Sequence, residues 1–391
     1  MDKHKAAISN LFDHDAFPDD AFFINKEFDG RKIIIYGAGE CCHWFVEVVM
    51  RIHGYMPAAV LDRAFTRGDA YEGIPAFSPS EYQPTDEEKR DAIVVICIGK
   101  QEYYDEIILC LKRLGFQNIM LLLDVYEIHN PFSLPAELEK KGFDFYRGQQ
   151  DRILACLELF EDDTSREIYT GFLRTHMQRK PVFLPKRPRE EQYFPSDIRL
   201  GRGYSRFICC GSDTGDTVRL LNQLHGKVDA IACFEPEPPL FDGLADYLWK
   251  HKDELAQNIV AMPCAVFSRD AIMRFTSANR EEFARSYPTG YGSRILDGGE
   301  SLVQCVTLDH TLPGFKPTFI CMDVEGAEFE ALKGAEGLIR ENRPDMGICV
   351  YHAPHHLWEI PLYLNSLEVG YRFYLRNHTA FTQETVLYAT M

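Results

Sequence analysis

The chain is short of positive charge: among its 391 residues, 42 Lys and Arg face 59 Asp and Glu, a formal net charge of −17. Such a surplus repels phosphate backbones, and no Lys/Arg-dense stripe with interleaved aromatics offsets it, so nucleic acid is not an expected partner. Long apolar runs are missing as well. None approaches the roughly 20 residues that span a bilayer, and the opening MDKHKAAISNLFDHD lacks the apolar core of a secretion signal. The expectation is a cytoplasmic protein with no membrane span. Structural zinc spacing is also lacking, because the 12 cysteines never form CxxC followed by a second CxxC or HxxxH. Many lie instead in apolar runs, such as Cys97 in AIVVICIG, Cys209 and Cys210 in RFICCG, and Cys321 in TFICMDV. A free thiol there packs as a small hydrophobe. No short repeat or low-complexity tract occurs.

What remains is ordinary globular composition, 46% hydrophobic and 26% charged, over a length that calls for two or three domains. KIIIY (32–36), the turn Gly37-Ala38-Gly39 and the helically spaced CCHWFVEVVMRIHG read as strand, glycine turn and helix. Further strands at 58–61, in AIVVICIG and in NIMLLLD alternate with a helix around 101–114, which implies a parallel sheet. DRILACLELF and TSREIYTGFLRTHMQRK are helical by pattern, and KPVFLPKRPRE reads as an exposed connector. From Arg206 the alternation resumes: RFICCG, a helix at 215–224, AIACFEP, a helix at about 238–256, IVAMPCAVFS, IMRFTS, TFICMDV, a helix at 327–341, MGICVYH, a helix around 355–367, then YRFYLR and TVLYAT. The expected fold is α/β with two Rossmann-like domains, a first at 1–130 and a second at 196–391, joined by a helical connector at 131–195.

Three elements of the second half carry chemistry. Gly211-Ser212-Asp213-Thr214-Gly215-Asp216-Thr217 follows a strand and opens a helix, where small residues let backbone N–H groups approach a ligand. Phe234-Glu235-Pro236 closes the next strand, and a carboxylate there can accept both hydroxyl protons of a ribose. Together they imply an adenosine-type ligand at the sheet's carboxyl edge. Phe319 to Glu328, FICMDVEGAE, delivers Asp323 to that same edge and then enters a helix with two more carboxylates.

This order of elements, with AVFS after the next strand and VTLD at Val306 to Asp309, resembles the FkbM-type S-adenosylmethionine-dependent methyltransferases over roughly residues 192–391. The resemblance implies a class I methyltransferase fold with a mostly parallel seven-stranded sheet, and S-adenosylmethionine as cofactor. The methionine part would lie against the turn holding Gly211 and Gly215, with Ser212, Asp213, Asp216 and Thr217 beside it. Glu235, followed by Pro236, would hold the ribose, and Cys264, Ala265 and Val266 would flank the adenine. In one place the sequence departs from the family: the strand before the turn commonly ends as DCG, and Cys209 stands where the acid belongs.

Methyl transfer to an aliphatic hydroxyl needs an aligned acceptor and a group to take its proton. Asp323 and His352, each at the end of an expected parallel strand, are the candidate catalytic residues. Glu325 and Glu328 can either join Asp323 in a magnesium-type site or simply stabilise a helix start. The site is expected to work without a divalent metal, and no metal ligand is assigned. His355 and His356 are expected to face solvent at a helix start. Arg294 and Tyr291 lie in TGYGSRILDGG, either a lid over the acceptor or a surface loop. Gln192 and Tyr193 either close the cofactor pocket or, with Phe194, only pack.

In the first half, Gly37-Ala38-Gly39 with Asp62 fits a nucleotide cradle, although Cys42 occupies the place of the third glycine in GxGxxG. Residues 32–126 look similar to the Rossmann-like domains that precede sugar O-acyltransferases and some FkbM-type enzymes, where such a domain can hold a nucleotide-linked sugar. The alternative is a scaffold that positions the catalytic half or pairs two chains as a homodimer. The expected activity is O-methylation of a small-molecule or glycan acceptor, a sugar or glycan precursor. An NAD(P)-dependent or nucleotide-sugar-modifying reaction through the Gly37 turn, or a non-enzymatic pseudo-methyltransferase motivated by Cys209, are the competing readings.

Overall fold

The computed structural model describes residues 3–12, 30–50, 55–98, 103–121, 143–178, 184–276, 294–295, 299, 301–378, 382 and 384–391. The chain divides into two compact units, one of residues 14–145 with 176–181, the other of residues 1–13, 146–175 and 182–391. Helix α1 (Lys3–Leu11) therefore belongs with the carboxy-terminal unit, where Ile8 and Leu11 are buried and His4 Nε2 lies 2.9 Å from Asp163 Oδ1. The expected boundaries at 130 and 195 follow the sequence patterns; the compact units instead group 146–175 with the second half.

The first unit holds β1 (Ile33–Tyr36), α2 (Glu40–Trp44) continued as a π-helical turn at Phe45–Met50, β2 (Ala59–Leu61), β3 (Asp69–Tyr71), β4 (Ile74–Phe77), α3 (Asp86–Asp91), β5 (Ile93–Ile96), α4 (Tyr104–Leu114) and β6 (Asn118–Leu121). Its sheet runs β3-β4-β2-β1-β5-β6, parallel except for the β3–β4 pair. Strands β1, β2 and β5 are buried along their length, as continuous apolar runs in a parallel sheet must be.

In the second unit, α5 (Gln150–Leu157) and α6 (Asp163–Gln178) precede a seven-stranded sheet. Its chain order is β7 (Arg206–Cys210), α7 (Asp216–His225), β8 (Val228–Phe234), α8 (Pro238–Leu255) and β9 (Ala256–Met262), then, after a smaller sheet, β14 (Phe319–Met322), β15 (Asp345–Cys349), β16 (Arg372–Asn377) and β17 (Thr385–Thr390). The smaller sheet comprises β10 (Ala265–Val266), β11 (Ala271–Thr276), β12 (Arg294–Ile295) and β13 (Ser301–Val306), in the order β10-β13-β11-β12. Helices α9 (Leu308–Thr311), α10 (Glu328–Lys333), α11 (Glu336–Asn342) and α12 (His356–Ser366) complete the unit.

The large sheet runs β16-β17-β15-β14-β7-β8-β9; β9 to β15 are parallel and β17 enters antiparallel. From β7 the chain steps outward through β8 to β9, and later through β14 to β15 on the other side. A crevice opens at such a reversal, beyond the carboxyl ends of the strands. Gly211 and Asp323 leave β7 and β14 side by side there, and a Cβ on Gly211 would stand 1.8 Å from the Asp323 carbonyl oxygen. Only glycine permits that approach, and its φ of +77° is one that side-chain-bearing residues avoid.

Candidate active site

The crevice is a cavity of about 510 Å³. Its floor begins at the turn after β7, where the backbone N–H groups of Gly211 and Ser212 both donate to the Phe234 carbonyl, at 3.0 and 3.1 Å, tying turn to strand β8. Ser212 Oγ donates to the Cys209 carbonyl at 3.0 Å. Asp213, at φ +45°, turns its backbone N–H onto Glu235 Oε2 at 2.9 Å, and the Glu237 N–H reaches Glu235 Oε1 at the same distance. Glu235 is thus fixed by two backbone donors while each carboxylate oxygen keeps a lone pair for a further one. Burial pushes its carboxyl up to about 7; the two N–H groups oppose this, and the neighbouring Asp213 and Glu237 charges add to it.

Gly211, Ser212, Asp213, Asp216 and Thr217 line this cavity with Glu235, Pro236, Cys264, Ala265 and Val266. Gly215 does not. It sits at φ +93° as the residue before α7, and a Cβ there would point at α8, 3.1 Å from Tyr247 Cδ1 and 3.2 Å from Leu244 Cδ1. Its smallness serves helix packing rather than the crevice. Cys209 is buried in β7, level with Cys233 on one side and Cys321 on the other, so its place in the sheet is filled by packing. Gln192 and Tyr193 line the cavity, whereas Phe194 packs with Tyr204 and Phe207.

At the opposite end stand carboxylates. Asp323 and Glu325 line the cavity, and Tyr193 Oη donates to Asp323 Oδ2 at 3.0 Å while lying 3.2 Å from Cys349 Sγ. Burial raises the Asp323 carboxyl to about 6, with His352 opposing and the acids around it reinforcing the shift. His352 is placed behind these groups and does not line the cavity; its side chain is 9% exposed. Nδ1 meets Glu328 Oε1 at 2.8 Å, and Nε2 lies 3.4 Å from Asp323 Oδ1 and 3.6 Å from Glu325 Oε2. Burial works against a charge on this imidazole, but Glu328, Glu325 and Asp323 outweigh it and push the group up to about 10. His352 thus stands one layer behind the cavity wall, against Asp323 and Glu325, and does not line the cavity.

Glu328 is fully buried. Its Oε1 also accepts the Val324 N–H at 3.0 Å and the Gly326 N–H at 3.4 Å, and its Oε2 lies 3.2 Å from His356 Nδ1. Burial alone would raise this carboxyl, yet the two histidines hold it far below the usual carboxylate range. The expectation that His355 and His356 face solvent is overturned. His356 is buried against Glu328, and burial beside His356 and Arg152 pushes His355 down to about 3.

Glu384, just before β17, also lines the cavity and accepts from Gln192 Nε2 at 2.7 Å. No local motif marks it; only the pairing of β17 with β15 brings it here. Arg294 falls in β12, and Tyr291 lies outside the described residues. In the first unit, Asp62 accepts the Ala38 N–H at 3.0 Å and the Ala64 N–H at 2.9 Å, and Cys42 is fully buried, its thiol pushed up to about 12 by burial.

A glycine turn, a buried carboxylate one strand away and an acidic strand end across a seven-stranded sheet define a class I S-adenosylmethionine-dependent methyltransferase. Residues 210–373 match the family model of the methyltransferase FkbM domain, and this part of the chain is such a domain. The whole chain is similar in fold to the crystal structure of methyltransferase FkbM from Methylobacillus flagellatus KT, with a TM-score of 0.73 over 99% of this chain and 98% of that one, at 21% identity. Fibrillarin from Aeropyrum pernix, solved with natively bound S-adenosyl-L-methionine, aligns over 56% of this chain and 86% of its own at 12% identity and a TM-score of 0.29. No curated protein matches the chain. No helix among the described residues is long and apolar enough to cross a membrane.

Proposed function

We propose that the carboxy-terminal unit transfers the methyl group of S-adenosylmethionine to a hydroxyl of a sugar or glycan precursor. The observation that carries this reading is the cavity's division into two ends. One holds the anchored, buried Glu235 among small residues; the other presents Asp323, Glu325 and Glu384. When bound, the cofactor supplies an electrophilic methyl group. Glu235 would accept the ribose hydroxyls, Gly211, Ser212, Asp213, Asp216 and Thr217 would hold the methionine end, and Cys264, Ala265 and Val266 would border the adenine. Carboxylates at the far end suit an acceptor rich in hydroxyl donors.

The acceptor oxygen must lose its proton as it attacks. Asp323, which lines the cavity and is oriented by the Tyr193 hydroxyl on Oδ2, is the residue we assign to receive that proton. The first unit is read as a scaffold, because Asp62 braces the glycine turn through the Ala38 N–H and its own turn through the Ala64 N–H, and the buried Cys42 fills the place of the third glycine. The test is incubation of the full chain with methyl-13C-labelled S-adenosylmethionine and a panel of sugars, nucleotide sugars and glycan fragments. Mass spectrometry should show one labelled methyl group on a hydroxylated product. Asp323→Asn should keep cofactor binding while turnover falls about 100-fold or more; full turnover would remove Asp323 from the mechanism, and binding of the cofactor without transfer to any hydroxyl would refute the acceptor class.

A further inference from the structure

We infer that His352 is the positioning residue of the site: clamped from behind by Glu328, it presents an imidazolium to Asp323 and Glu325 and so holds Asp323 ionised, ready to receive the acceptor's proton. The inference rests on the reading of Asp323 as the group that takes this proton, and it adds how a carboxylate so deeply buried keeps its charge. The argument begins with the ring. Nδ1 lies 2.8 Å from Glu328 Oε1. An ionised carboxylate only accepts, so Nδ1 carries a hydrogen. Nε2 is buried and has no hydrogen-bond partner among the described residues; it faces Asp323 Oδ1 at 3.4 Å and Glu325 Oε2 at 3.6 Å. A bare lone pair aimed at two carboxylates is repelled, so Nε2 carries a hydrogen as well.

Those two separations are ion-pair distances, longer than the roughly 2.7–2.9 Å of a charge-assisted hydrogen bond. The imidazole therefore acts on Asp323 as a fixed charge and not as a route for its proton. Its place is set from several sides. Glu328 is fully buried, and it is itself held by the Val324 N–H at 3.0 Å, the Gly326 N–H at 3.4 Å and His356 Nδ1 at 3.2 Å. The Tyr351 ring lies against the imidazole, with centroids 4.1 Å apart. Across the carboxylate, Tyr193 Oη donates to Asp323 Oδ2 at 3.0 Å. Each Asp323 oxygen thus has one stabilising neighbour and keeps a lone pair for an acceptor hydroxyl.

The charges around Asp323 pull in opposite directions. Burial raises its carboxyl to about 6; His352 opposes this, Glu325 and Glu328 add to it, and the Tyr193 hydroxyl opposes it. Glu384, ahead of β17, and the Cys349 thiol also face this carboxylate. Without the imidazolium, Asp323 holds its own proton at neutral pH and cannot take another. Without Glu325, the shift runs the other way.

The test is NMR titration of the full chain carrying 13Cγ-aspartate and 15N-histidine, with the Asp323 signal assigned by Asp323→Asn. It needs no acceptor. In the parent, His352 should show both ring nitrogens protonated at pH 7. His352→Gln, whose amide can still donate to Glu328, should raise the Asp323 midpoint by about one pH unit or more, as loss of a neighbouring opposite charge does. Glu325→Gln, at a partly exposed position, should lower that midpoint and also lower the His352 midpoint, which identifies the histidine signal; this variant carries the test if His352→Gln does not fold. A histidine that only fills space moves neither. A neutral His352 at pH 7, or an Asp323 midpoint that stays in place in either variant, would overturn the assignment. Calorimetry with S-adenosylmethionine on the same samples separates the two readings. Cofactor binding with an unmoved Asp323 defeats the positioning role alone, and the expected shifts without cofactor binding support that role while the transferase reading fails.

Discussion

Glu235 shows how much a single buried carboxylate can govern. The folded protein holds its proton up to about 7, whereas the unfolded chain releases it near the ordinary 4.5. Between those values the folded state binds the extra proton, so this group's contribution to the stability of the unliganded unit declines as pH rises through the window. Ribose binding runs the other way, because only the ionised carboxylate accepts from both hydroxyls. Cofactor affinity should therefore fall about tenfold between pH 8 and pH 6, as the ionised fraction falls by that factor, and calorimetry across that range measures it. Glu235→Ala should weaken binding about 100-fold, corresponding to two lost hydrogen bonds to a charged acceptor, and should flatten the pH dependence; a parent-like affinity would refute the ribose role. Asp323 and Glu235 were legible in the sequence because each ends an apolar run, where a charge has no structural reason to be. His352 was legible as a site neighbour, but not its surroundings: Glu328, Glu325 and Asp323, which push its imidazole up against the opposing effect of burial, meet it through the fold and not along a local motif.

At the scale of elements, the long parallel strands were readable and the breaks between helices were not. The stretch 327–341 has helical spacing throughout, yet it forms α10 and α11 with an interruption at Gly334. The cause is tertiary. A Cβ on Gly334 would lie 2.0 Å from the Phe267 carbonyl oxygen, so the segment after β10 presses directly on the helix backbone. Asp309, in α9, then caps the new helix start, accepting Gly337 N–H at 2.9 Å and Leu338 N–H at 2.7 Å, while the Gly334 carbonyl accepts the Asp309 N–H at 3.0 Å. The VTLD segment thus works as a brace under the cavity wall built by Ala265 and Val266. Gly334→Ala should cost more than about 2 kcal/mol, since the clash is with backbone that cannot rotate away, visible as a lower urea midpoint with unchanged slope. An unchanged midpoint would show that the segment after β10 yields freely. Strands β3 and β4 went unread because three or four residues with partly exposed side chains give no period to detect.

Over the whole molecule, α/β alternation announced both sheets, but not which segments fold with which. KHKAAISNL carries too few apolar positions to name a partner, and the 131–195 stretch reads as a linker only while its tertiary contacts are unknown. In the structure, Arg376 of β16 is buried and paired with Asp162 Oδ2 at 2.7 Å, binding that stretch to the sheet that carries the cavity, and with Asp197 Oδ2 at 2.8 Å just beyond it. Helix α1 adds to the same unit: Ile8 is fully buried, Leu11 nearly so, and His4 joins Asp163 and Thr170 of α6. Burial of two such side chains is worth about 1.5–3 kcal/mol each, a large share of the stability of any domain. Deleting residues 1–12 should therefore lower the melting temperature of the carboxy-terminal unit by about 10 °C, at roughly 2–4 °C per kcal/mol for a unit of this size. The first unit's transition should stay in place. If calorimetry instead shows the first unit's transition moving and the second fixed, the assignment of α1 to the transferase unit fails, and with it the view that the chain's opening helix is part of the catalytic fold.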